Sequence, residues 1–75
     1  MSLSRGHVRM LRQLSADTTR WFKPELVAQN RECVELHKVG YLQRRVTPYP
    51  PYVLEYRIDT TAPVVKQAVA LGIIT

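Results

Sequence analysis

Apolar and polar residues follow two different periods along this chain, and the switches between them mark its elements. Leu3, His7, Met10, Leu11 and Leu14 recur at three- and four-residue steps, the single apolar stripe of an amphipathic helix from Ser4 to about Leu14. Ser4 or Ser2 can cap it, since a serine oxygen satisfies an orphan N–H of the first turn. Ala16-Asp17-Thr18-Thr19 reads as a turn. Arg20-Trp21-Phe22 reads as a short extended piece whose aromatics can anchor a small core. Pro24 suits the first position of a second helix, Glu25 suits the positive end of its dipole, and Leu26, Val27 and Ala28 are its apolar content. Gln29-Asn30 closes that helix, and Asn30 caps a third from Arg31 to Val39. The alternative is one continuous helix from Pro24 to Val39. Cys33, Val34, Leu36 and His37 are the inward candidates, and Arg31, Glu35 and Lys38 share the outer side. Gly40 followed by Tyr41 marks a Schellman-type stop.

Beyond Gly40 the period changes to two. Tyr41 to Val46 reads as a strand, and Thr47-Pro48-Tyr49-Pro50-Pro51 is a loop, because proline donates no ladder hydrogen bond. Tyr52 to Ile58 returns as a second strand with Tyr52, Leu54, Tyr56 and Ile58 toward the core, and Val53, Glu55 and Arg57 toward solvent. Asp59-Thr60-Thr61 starts a last helix, with Thr61 or Thr60 as N-cap and Pro63 in the first turn. Val64, Val65, Ala68, Val69 and Leu71 are its apolar face, Gly72 its stop, and Ile73-Ile74 a tail that folds back over the core.

The expected fold class is α+β, mainly α, as one domain over residues 1–75. It has three N-terminal helices, a two-stranded wing with a short extra strand, and a C-terminal helix. In that order the chain resembles the winged helix-turn-helix superfamily over almost its whole length. Trp21-Phe22-Lys23-Pro24-Glu25-Leu26 looks like the family's entry into its second helix. Leu36-His37-Lys38-Val39-Gly40-Tyr41-Leu42-Gln43-Arg44-Arg45 looks like its exit from the third helix into the wing, and Tyr56-Arg57-Ile58-Asp59-Thr60 like the end of the return strand. The resemblance implies a small DNA-binding, regulatory protein. One departure matters: the turn between the second and third helices is shortened or lost, and the third helix exposes Arg31, Glu32, Glu35 and Lys38 as a charge-balanced face. Glutamate in a major groove repels phosphate unless it finds a cytosine amino group.

Charge sharpens the functional reading. The chain has 75 residues, a net charge of +5 and a pI near 9.9, a balance that suits a polyanionic partner. Residues 1–23 hold +4 of that charge, residues 24–41 hold −1 and residues 42–59 hold +1. Arg5, Arg9 and Arg12 line one face of the first helix, either to solvate it or to meet phosphate. With Arg44 and Arg45 at the wing, and Arg31 and Lys38 at a groove edge, they are the candidate nucleic-acid contacts. The competing reading is a protein-interaction module without DNA binding, using Tyr49 and Tyr52 at the proline-stiffened wing tip, as a homodimer or with another protein.

The remaining chemistry is sparse. One cysteine cannot form an intrachain disulfide and fits a reducing, cytoplasmic setting. No apolar run approaches the ~18 residues of a membrane span, and no signal peptide is expected before the first helix. The chain holds no P-loop, no dinucleotide-binding glycine pattern, no HExxH, no CxxC and no GxSxG. Cys33 and His37 are four apart on a helix, yet a metal site needs three or four ligands. The reading therefore expects no enzyme, cofactor, metal or small-molecule substrate, and no membrane contact.

Overall fold

Helix α1 (Arg5–Ser15) opens on a reciprocal cap. The Ser4 hydroxyl accepts from the His7 N–H at 3.2 Å, and His7 Nδ1 accepts from the Ser4 N–H at 3.0 Å, which satisfies two orphan donors at once. With Nδ1 accepting, the neutral ring carries its proton on Nε2 and donates it to Glu35 Oε1 at 3.0 Å. One histidine thus caps its own helix and ties it to the next. The computed structural model describes residues 2–74. His7, Met10, Leu11 and Leu14 are buried along α1, and Leu3 packs beside them.

Helix α2 (Val27–Lys38) follows a segment without regular structure. The expected pair of helices, 24–29 and 31–39, is one helix, so two helices and not three precede the ribbon. Asn30 does not break it: its N–H bonds to the Leu26 carbonyl at 2.9 Å, and asparagine inside a helix costs only about 0.7 kcal/mol relative to alanine. Pro24 lies before the helix and not in its first turn. The end matches expectation. Tyr41 N–H bonds to Leu36 O, Gly40 N–H bonds to His37 O, and Gly40 holds φ +95°, which is a Schellman stop.

Strands β1 (Leu42–Val46) and β2 (Leu54–Ile58) pair antiparallel, with Leu42 opposite Ile58, Arg44 opposite Tyr56 and Val46 opposite Leu54. The expected extra strand reduces to one bridge, in which Phe22 and Tyr56 exchange backbone hydrogen bonds of 2.7 and 2.8 Å. Pro24, two residues on, has no N–H with which to extend that pairing. Alternation puts Leu42, Arg44, Val46, Leu54, Tyr56 and Ile58 on one face. The helices cover only its base, so Leu42, Tyr56 and Ile58 are buried while Val46 and Leu54 are exposed. Tyr52 and Leu54, expected inside, are therefore outside. Glu55, expected in solvent, is buried on the opposite face.

Helix α3 (Pro63–Ala70) starts at Ala62, without a side-chain cap, and not at Thr60 or Thr61. Asp59 uses those hydroxyl residues differently. Its carboxylate accepts from the Thr61 hydroxyl at 2.7 Å and from the Thr61 N–H at 3.1 Å, and these bonds hold its pKa below the usual carboxylate range. Gly72, at φ +76°, ends α3 in a second Schellman stop, and Ile74 folds back into the core. Leu11, Leu36, Cys33 and Tyr56 are the largest fully buried side chains. Each buried leucine stabilises by about 1.5–3 kcal/mol, a large share of a small domain's stability.

Candidate nucleic-acid interface

A continuous α2 changes which residues share its outer face. At 100° per residue, Val27, Arg31, Val34 and Lys38 form one row opposite Cys33 and Leu36. Val27 is 87% exposed and Val34 38%, so Val34, expected inside, belongs to the surface. The two glutamates leave this row. Glu35 turns to α1 and accepts from His7. Glu32 lies against Gly6, where an added Cβ would collide with its carboxylate. The charge-balanced face expected of this helix is thus divided in part: Glu32 and Glu35 lean toward α1, while the Glu35 side chain keeps 45% of its surface exposed. Among the described residues no carboxylate lies within 4.0 Å of Arg31 or Lys38.

Around the helix from this row, His37 links α2 to the ribbon. The His37 and Tyr56 rings meet edge to face at 6.3 Å, and Arg44 sits opposite Tyr56 on β1. Burial first, and the Arg44 charge second, hold the His37 pKa below its ordinary value of 6.5. The unfolded chain therefore takes up this proton first as the pH falls. The stability linked to it is complete above about 6.5 and is lost as the pH drops below that value. Arg44→Gln should move the His37 titration upward, as read from its ring proton shifts by NMR; an unchanged midpoint would separate the two side chains.

Arg44 and Arg45 do not act together. Arg44 is exposed on the face that continues toward Val46 and Leu54. Arg45 turns to the other face, where its Nε donates to Glu55 Oε1 at 3.1 Å and its guanidinium lies 4.4 Å from the centroid of the Trp21 ring. Arg57 lies at the same distance from Trp21 and donates to Gln43 Oε1 at 2.7 Å. This cluster closes the back of the ribbon with cation–π contacts and one ion pair. Its role is packing. The aromatic character of Trp21 predicts an anchor, but the arginines stacked beside it carry no sequence signal.

Arg5, Arg9 and Arg12 form a separate exposed row on α1, opposite its buried stripe. Arg12 Nε also donates to the Ile73 carbonyl at 3.2 Å, which places this row beside the C-terminal segment. Tyr49 and Tyr52 stand at the ribbon tip, 60% and 68% exposed. Thr47, itself buried, organises that tip. Its hydroxyl lies 3.0 Å from the carbonyls of Tyr49 and Pro51 and accepts from the Val53 N–H at 3.1 Å. The candidate set is therefore brought together only in part: Arg31 and Lys38 share one row of α2, Arg44 stands on the ribbon face near His37, Arg45 is engaged by Glu55 and Trp21, and the α1 row stands apart. Val27 and Val34 are the exposed apolar positions of this row, and their spacing with Arg31 and Lys38 reads directly once the helix is continuous.

Cys33 is buried, and burial with the nearby Glu32 pushes its thiol up to about 12. Among the described residues, no three His, Cys, Asp or Glu side chains gather as metal ligands, and no helix is long and apolar enough to cross a membrane. No protein-family model, curated protein or solved structure matches the chain.

Proposed function

We propose that the protein is a small, regulatory DNA-binding module related to winged-helix proteins, and that α2 lies in the major groove. The observation that carries this reading is the exposed row Val27, Arg31, Val34 and Lys38, whose two cations make no ion pair within 4.0 Å among the described residues. An α-helix fits the roughly 12 Å width of that groove. Arg31 and Lys38 then meet phosphate or base edges, and Arg44 holds the flanking backbone. Val27 and Val34 supply apolar contact of the kind a thymine methyl accepts. Arg5, Arg9 and Arg12 add to the field that draws the polyanion in and offer a second contact surface for backbone phosphate.

Fluorescence anisotropy with a short random-sequence duplex tests this. Binding should appear at about 50 mM salt, with Arg31, Lys38 and Arg44 together contributing about −3 to the slope of log affinity against log salt. That contribution alone predicts a loss of roughly fortyfold between about 50 and about 200 mM. Absence of binding at the lower salt sinks the reading.

A further inference from the structure

The tip of the ribbon has a chemistry unlike the basic face it extends. Residues 46–54, Val-Thr-Pro-Tyr-Pro-Pro-Tyr-Val-Leu, carry no charged side chain. A wing that lies along a phosphate backbone or reads a minor groove leans on arginine, lysine or amide side chains, and this tip has none of them; its exposed polar groups are the two tyrosine hydroxyls. It presents Tyr49 and Tyr52 instead, flanked by Val46 at 54% exposure and Leu54 at 39%. The bonds to Thr47 and the three prolines hold this apolar group in place, which lowers the entropy cost of using it.

We infer that the tip stacks on unpaired bases, so that the protein favours a duplex with a single-stranded flank over a continuous duplex. The inference rests on the duplex binding proposed above for α2 and Arg44. In a continuous duplex each base face is covered by its neighbour, and an aromatic wedge must first unstack a step. At a junction the faces are already open, and a tyrosine ring accepts any base because every base has a π face. Arg44 shares a strand face with Val46, two residues and about 7 Å nearer the helices. A strand whose phosphate meets Arg44 and that runs outward along this face reaches the tip with its next nucleotides.

The test compares a labelled blunt duplex with the same duplex carrying an oligothymidine overhang, for the wild-type chain, Tyr49→Ala/Tyr52→Ala and Tyr49→Phe/Tyr52→Phe. Wild type should bind the overhang substrate at least about tenfold more tightly than the blunt one. The alanine pair should lose that preference and keep its affinity for the blunt duplex, while the phenylalanine pair keeps both. Equal wild-type affinity for the two substrates overturns the inference and leaves duplex binding by α2 standing. Binding to neither removes both. If sedimentation finds a wild-type dimer that the alanine pair turns into a monomer, with no preference between the DNAs, the tip is a protein contact and the inference is wrong.

Discussion

A chain carrying Arg31→Glu and Lys38→Glu should lose duplex affinity by about a hundredfold or more, with its fold intact. Both side chains are exposed on α2 and make no ion pair within 4.0 Å among the described residues, so reversing them removes two phosphate contacts and adds two repulsions. The cost to stability stays at about 1–2 kcal/mol, because Lys38→Glu reverses a dipole interaction at the negative end of the helix and both substitutions put like charge three or four residues from Glu35. Thermal unfolding followed by circular dichroism checks that second half. The contrast between neighbours is sharper still. Arg44→Ala should weaken binding and reduce the salt slope by about 1. Arg45→Ala should leave binding nearly unchanged and lower stability instead, since it strands the buried Glu55 and uncovers Trp21. If Arg45→Ala weakens binding as much as Arg44→Ala does, the assignment of faces is wrong.

Tyr56→Ala should remove a large part of the protein's stability, about 3–5 kcal/mol. A domain of this size is stable by roughly 4–11 kcal/mol, and deleting a large buried aromatic costs about 3–5 kcal/mol. Tyr56 also occupies the junction of the fold. It is fully buried, pairs with Phe22 through the backbone, stands opposite Arg44 and meets the His37 ring. Its hydroxyl, by contrast, has no hydrogen-bond partner among the described residues. A buried unsatisfied hydroxyl costs about 1–3 kcal/mol, so Tyr56→Phe should stabilise the chain by about 1 kcal/mol. Urea midpoints of the two variants give the answer, and a less stable Tyr56→Phe protein would mean that the hydroxyl is bonded after all.

Local signals carry much of this fold. The α1 stripe, the Ser4 cap, both glycine stops, the proline loop and the return of Ile73-Ile74 depend on residues a few positions apart, and such short-range rules can be read along a chain. The errors share one cause. Asn30 can cap a helix or sit inside one at small cost, and only the packing of Cys33 and Leu36 beneath a continuous helix decides between them. Alternation alone sends Leu54 inward and Glu55 outward, and the structure reverses both. How far the core reaches along the ribbon, and what covers its back, is decided by α1 and by Trp21.

The candidate site divides in the same way. Sequence by itself determined the basic balance, the seven cationic candidates, the uncharged tyrosine-proline tip, and a helix leading through Gly40 into a two-stranded ribbon. Tertiary structure decided how charge is sorted on that helix. Glu32 and Glu35 are held toward α1 by the close approach of Gly6 and by the donated His7 proton. It also decided that Arg44 and Arg45 part company across the ribbon. Helical spacing states which side chains share a row, but what draws a charge out of that row is a partner 28 residues away in sequence, as His7 is from Glu35. Contacts at that separation follow from how the elements pack and leave no trace in local order.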